Sequence, residues 1–187
     1  MEENILQITD NLYLSAPGTQ PGDIDALVLY LNDEEVTDNL NTLPSPYTEE
    51  SAKAFFEFIE KERQALGQLH IWSIRDKNMR LIGGIGIHPK DSRDQFAADG
   101  HKAEIGYWLA PEHWNKGYMK KAITFYTQHV FANFPQVVKI YGNVFTKNQA
   151  SARVLERCGF VWEGTLKNQY LKNGALIDSF FYALMRE

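Results

Sequence analysis

Between Arg80 and His88 the residues Leu81, Ile82, Ile85 and Ile87 leave neither face of an extended segment polar. A strand that is apolar on both faces belongs inside a sheet covered above and below, which sets the fold class before any other feature is read. Leu69 to Arg75 reads as the strand before it, joined through the turn Asp76-Lys77-Asn78-Met79 into a hairpin. Downstream, Ala103, Ile105, Tyr107 and Leu109 share one face of a strand while Glu104, Gly106 and Trp108 share the other. Gly117 to about Phe131 then carries Tyr118, Ala122, Phe125, Tyr126 and Val130 at helical spacing, and Val137 to Val144 is again strand-like. Strand, helix, strand in this order indicates an α/β domain.

The remaining elements follow from caps and breakers. Pro21-Gly22-Asp23 opens a short helix that carries Ile24, Leu27, Val28 and Leu31. Pro44-Ser45-Pro46 interrupts the chain, and Thr48 caps a second helix that runs to about Ala65 with Ala52, Phe55, Phe56 and Ile59 on one face. Asp91 to Gly100, polar and ending in glycine, reads as an exposed loop. Asn148 caps a helix whose Ala150, Val154, Leu155 and Cys158 face inward, and Gly159 ends it as a left-handed residue. Two last strands, about Phe160 to Leu171 and Ala175 to Leu184, turn at Lys172-Asn173-Gly174.

Composition narrows the classes. The chain has 187 residues, 44% of them apolar, and fits one domain with a substantial core. A net charge of -5 argues against nucleic acid as a partner and suits a cationic substrate. Cys158 is the single cysteine, and the start Met1-Glu2-Glu3-Asn4 has neither the basic nor the apolar region of a signal peptide, so a cytoplasmic setting is expected. Without a bilayer-length apolar run no membrane is expected, and five scattered histidines make no metal set. His101, close to Glu104, reads most simply as a surface side chain.

Chemistry concentrates at two helix starts. Asn115, Lys116, Gly117, Tyr118, Met119, Lys120 and Lys121 place basic side chains and a glycine where they oppose the macrodipole and helix propensity. A bound anion removes both objections, because free first-turn N–H groups and a residue without Cβ make a phosphate cradle. The Walker pattern G-x-x-x-x-G-K-S/T is absent, so the phosphate is not that of a hydrolysed nucleotide. At the second start Lys147 precedes the Asn148 cap and Arg153 lies in the first two turns. Alone, Asn148 is a cap and Ser151 a polar first-turn residue.

Together these residues form a longer pattern. Asn148-Gln149-Ala150-Ser151-Ala152-Arg153-Val154-Leu155-Glu156-Arg157-Cys158-Gly159-Phe160 resembles the N-x-x-S-x-x-V-L-E-K/R-x-G-F signature of GNAT acetyltransferases. Glu104-Ile105-Gly106-Tyr107-Trp108-Leu109, with Pro111 to Tyr118, is similar to the RimJ/RimL-type ribosomal-protein acetyltransferase branch, as is the ending Lys172-Asn173-Gly174 with Asp178 and Tyr182. The resemblance implies a GNAT fold over 1–187: a mixed, mostly antiparallel sheet of six to seven strands, helices on both faces and a splayed acetyl-CoA cleft. It implies that Asn115 to Lys120 grip the pyrophosphate through backbone amides, Asn148 meets the pantetheine arm and Ser151 lies near the thioester sulfur. Tyr107, Trp108 and Leu109 would supply oxyanion stabilisation. Arg153 and Lys147 are additional candidates for CoA phosphates on grounds of charge.

Two departures from the superfamily stand out. Met119 occupies a place often held by Gly or Ala, and Leu155 stands where many members have a tyrosine acid, leaving Ser151 or solvent to protonate the thiolate. Glu104 is either a strand carboxylate that faces solvent or pairs with a lysine, or the base that takes the proton from the amine. Cys158 reads as packing rather than as an acyl carrier. The expected reaction is direct acetyl transfer from acetyl-CoA, without a metal, to a primary amine. A protein N-terminus leads, with polyamines, aminoglycosides and amino-acid analogues as other acceptors and a non-catalytic acyl-CoA sensor as the other class. Asp38, Asp91 and Glu104 favour a cation, Trp72, Trp108, Tyr107 and Tyr170 are aromatic candidates for an acceptor wall, and monomer and homodimer are equally compatible.

Overall fold

The computed structural model describes residues 5–41, 43–88 and 100–187. The expected loop therefore lies outside the described residues except for Gly100, and so do Asp91 and the four N-terminal residues. The described strands join one open mixed sheet of eight, in the order β1-β2-β3-β4-β5-β6-β8-β7. Two compact units make up the chain: Met1–Gly86 with Tyr107–Tyr118, and Ile87–Gly106 with Met119–Glu187.

The first unit begins with β1 (Ile5–Thr9) and β2 (Leu12–Ser15), an antiparallel pair. These are the two strands the sequence reading lacks. A four-residue strand has too few inward positions to display a period, yet Leu12 and Leu14 are fully buried. Helices α1 (Asp23–Tyr30), α2 (Glu34–Thr37) and α3 (Glu49–Leu66) follow. Thr48 and Ser51 form a capping box at the start of α3, and Gly67, with φ of 70°, ends it. Asp33 caps the brief α2, whose single turn offers no period to read.

Leu27, Leu31, Val36, Tyr47, Ala52 and Leu81 form the buried cluster under these helices. Strands β3 (Ile71–Asp76) and β4 (Leu81–His88) make the expected hairpin, and Asp76 Oδ1 closes its turn by accepting from the N–H groups of Asn78 (2.8 Å) and Arg80 (3.0 Å). Every residue of β3 is buried, including Trp72, which is 4% exposed and belongs to the core rather than to an acceptor wall.

One arrangement in this unit escaped sequence reading. Arg75 is 0% exposed and its guanidinium meets the Asp23 carboxylate through both terminal nitrogens, at 2.7 and 2.8 Å. Its Nε donates to Ser15 Oγ and its Nη1 to the Met79 carbonyl at 3.2 Å. A helix start, the end of β2 and the end of β3 are thus tied by one buried cation. The forked geometry satisfies the desolvated charges, without which burial would be prohibitive.

In the second unit the ladder between β5 (Lys102–Leu109) and β6 (Lys139–Phe145) is parallel. It pairs Lys102–Glu104 with Lys139–Tyr141 and ends at Glu104. Helix α4 (Tyr118–Asn133) buries Ala122, Ile123, Tyr126, Thr127 and Val130. The stripe expected there is rotated slightly, for Phe125 is only half-buried. Helix α5 (Gln149–Arg157) buries Ala152 and Leu155 and leaves Ala150 exposed, contrary to the inward position expected for it. Strands β7 (Val161–Lys172) and β8 (Ala175–Met185) form the final hairpin, with Asn173 and Gly174 at φ of 51° and 78°, the double left-handed turn that an Asn-Gly pair favours.

Candidate active site

The residues singled out by sequence fall in two neighbourhoods, one in each unit. In the first unit the end of β5 leads into a short 3-10 turn, Pro111–His113, and then into the basic helix start. Trp108 is held by packing: a Cβ on Gly84 would stand 2.6 Å from its indole nitrogen, and its ring tilts against Tyr30 at 6.1 Å. What Trp108 offers a cofactor is therefore main chain. Tyr107 is half-buried and Leu109 is buried, and the Leu109 carbonyl accepts from Trp114 Nε1 at 2.7 Å, pinning the turn. Tyr30 donates to Glu112 at 2.7 Å, and burial together with that carboxylate pushes its phenol up to about 12.

Beyond Trp114, Asn115 has φ of 59° and Gly117 φ of 73°. Left-handed residues on either side of Lys116 turn successive N–H groups into a concave cradle of the kind that binds anions. A Cβ at Gly117 would meet nothing within 4 Å, so the space beside it is open. Asn115, Lys116, Gly117 and Lys120 are exposed, Tyr118 and Met119 half-buried, and the first turn of α4 holds no acidic residue. The His113 ring stacks on Tyr118 at 6.1 Å, which fixes the first residue of the helix. The local chemistry fits a diphosphate: backbone donors, open room and exposed cations.

The second unit holds the carboxylate. Glu104 is half-buried and its Oε1 accepts from Asn143 Nδ2 at 2.7 Å. Glu104 stands beside Tyr141 in the parallel ladder. Two buried oxygens here, the Tyr141 hydroxyl and Asn143 Oδ1, have no hydrogen-bond partner among the described residues. An orphaned buried polar atom costs about 1–3 kcal/mol, a cost usually tolerated where a ligand relieves it. Burial and the Glu104 carboxylate push the Tyr170 phenol up to about 12, with an opposing pull from the Asn143 side chain. Sequence reading reached Glu104 and Tyr170 but missed Tyr141 and Asn143; their alternation along β6 opposite Glu104 was the available signal.

At the start of α5, Asn148 Oδ1 accepts from the Ser151 N–H at 3.0 Å. The cap role is thus real, and the Asn148 amide group has no partner among the described residues. Ser151 is half-buried one turn into the helix, and Arg153 is exposed. Leu155 is fully buried, only 3.2 Å from where a Cβ on Gly142 would stand, so the place of a tyrosine acid is filled by packing. Cys158 Sγ lies 3.6 Å from the Lys120 carbonyl and 3.7 Å from Thr124 Oγ1, and burial pushes its thiol up. The motif aspartate and tyrosine of the final hairpin are also structural: Asp178 accepts from Lys167 at 2.7 Å, and Tyr182 donates to Glu156 at 2.8 Å. Among the described residues, no group of three or more His, Cys, Asp or Glu could hold a metal ion, and no helix is long and apolar enough to cross a membrane.

An open mixed sheet, a left-handed turn at a basic helix start and a capped N-x-x-S helix agree with the acyltransferase class that the sequence resembles. The sequence profile of the Acetyltransferase (GNAT) domain matches residues 11–161, and the chain belongs to that family. A Bacillus subtilis (strain 168) protein named uncharacterized N-acetyltransferase YoaA is 30% identical over 181 residues, 95% of each chain. Among solved structures, the Microcin C7 self immunity acetyltransferase MccE, in complex with acetyl-CoA and AMP, superposes with a TM-score of 0.79 at 21% identity over 97% of this chain and 96% of its own. The Salmonella typhimurium acetyl transferase that modifies the N-terminal serine of ribosomal protein L7/L12 gives 0.78 at 20% identity over 98% and 100%. These likenesses confirm the fold, and the family makes the protein an acyltransferase.

Proposed function

We propose that the chain acts as one N-acetyltransferase domain over 1–187 that moves the acetyl group of acetyl-CoA directly to a primary amine, foremost the N-terminus of a protein. The carrying observation is the left-handed Asn115 and Gly117 pair on either side of exposed Lys116, immediately before α4. The N–H groups from Asn115 to Lys120 receive the pyrophosphate, and Arg153 adds charge toward the CoA phosphates. Asn148 donates its amide to the pantetheine arm.

Glu104 takes a proton from the ammonium, directly or through one water. The amine lone pair then attacks the thioester carbonyl, forming the C–N bond. N–H groups of Tyr107 to Leu109 stabilise the oxyanion. Collapse breaks the C–S bond; the nitrogen loses its second proton to solvent as the amide forms, and the CoA thiolate takes a proton from Ser151, which is restored from solvent. Buried Leu155 supports this assignment, since no phenol stands at that place.

A protein acceptor is favoured by the Salmonella typhimurium enzyme named above. Polyamines and other small amines are the second reading, suited by the net charge of -5. A cytoplasmic location fits an acetyl-CoA-dependent reaction. The test is thiol release from acetyl-CoA with tetrapeptides that differ in their first residue, spermidine and butylamine. Amine-dependent thiol release with a peptide is the expected result; CoA binding without turnover of any amine identifies a sensor instead.

A further inference from the structure

The second unit contains a polar group that the transfer chemistry above leaves unused. Tyr141 is 2% exposed, yet among the described residues its hydroxyl has no partner, and the neighbouring Asn143 Oδ1 has none either. The Asn143 amide is oriented by necessity: a carboxylate only accepts, so Nδ2 faces Glu104 at 2.7 Å and Oδ1 faces away. Residues two apart on a strand project from the same face, and the register of Glu104 with Tyr141 puts the carboxylate on that face too. The surroundings are aromatic. Phe181 stacks on Tyr141 at 5.2 Å, and Tyr170 meets Phe145 edge-on at 5.4 Å.

We infer that Tyr141 Oη and Asn143 Oδ1 complete, with Glu104, a three-acceptor subsite that holds the acceptor amine and selects primary over secondary amines. The inference rests on the acetyltransferase reading, in which Glu104 is the base. An ammonium group carries three N–H donors, one for each acceptor. When Glu104 removes one proton, Tyr141 and Asn143 hold the two remaining N–H groups of a primary amine, and its lone pair is left directed away from both. An N-methylated amine retains only one N–H at that stage and leaves one of the two oxygens orphaned. The aromatic rings exclude water and favour the cation before proton loss. Tyr141 and Asn143 are therefore positioning and specificity residues, not proton carriers.

The experiment compares Tyr141→Phe and Asn143→Ala with the parent, using the most rapidly acetylated amine of the panel above and its N-methyl counterpart. Loss of one hydrogen bond should raise the KM for the primary amine about fivefold to tenfold in Tyr141→Phe. The preference for the primary amine should shrink by a similar factor, while the KM for acetyl-CoA stays within twofold. Thermal stability of Tyr141→Phe should equal or exceed the parent's, because the lost hydroxyl had no partner; a marked fall in both variants shows structural partners and overturns the subsite. Unchanged amine KM and unchanged discrimination in folded variants overturn it as well, leaving the acetyltransferase reading intact. A parent that binds CoA but turns over no amine removes that reading and the subsite with it.

Discussion

Glu104 differs from Glu163 and Asp178 in its hydrogen-bond partner. Glu163 and Asp178 pair with Lys139 and Lys167 at 2.6 and 2.7 Å, whereas Glu104 is hydrogen-bonded by the neutral amide of Asn143. That amide fixes the orientation of the carboxylate. Glu104→Gln should lower kcat/KM for the amine about 100-fold or more and flatten the acid limb of the pH–rate profile. A profile of unaltered shape rules Glu104 out as the base. Cys158 makes the opposite case. Burial raises its thiol above the ordinary 9.0, so the thiolate is scarce at neutral pH. Cys158→Ala should retain activity within about twofold, and iodoacetamide should label the parent slowly below pH 9. Fast labelling at pH 7 contradicts this account.

At the level of elements, the start of α1 depends on a partner far along the chain. Asp23 is 3% exposed and its charge is matched by Arg75 at 2.7 Å. Asp23→Ala should destabilise the protein by about 3–5 kcal/mol in urea titration, because it strands a buried guanidinium. A loss under about 1 kcal/mol means that water reaches Arg75. Gly117 depends only on backbone. With φ of 73° and open space beside it, Gly117→Val should raise the KM for acetyl-CoA several-fold through the shape of the turn alone, since a β-branched residue resists that region. Local signals of this kind were legible in sequence: the Thr48 and Asn148 caps, the Asn173-Gly174 turn and the two-faced apolar β4 all appear where expected. The Arg75–Asp23 pair was not, because nothing in a local window tells a strand arginine that its counterion lies 52 residues away. The same holds for Tyr141 and Asn143, whose meaning arises only when the ladder lays β6 beside Glu104.

For the whole molecule, charge and edges matter most. The chain carries 24 acidic and 19 basic residues, so a polyanionic cofactor approaches an unfavourable average field and depends on the local cations. CoA affinity should therefore weaken as salt rises, and Arg153→Ala should weaken binding a few-fold at low salt and less at high salt. Equal affinity across salt for both proteins removes Arg153 from the cofactor site. The outermost strands, β1 in one unit and β7 in the other, carry register shifts: one between Gln7 and Thr9, two between Trp162 and Tyr170. Asn168 sits in β7 with φ of 51°, next to Lys167. Irregular borders, charged as well in β7, make poor templates for a neighbouring chain. Concentrated solutions of this protein should accordingly stay clear of fibrils, even though Val161, Trp162 and Leu171 lie on the outside.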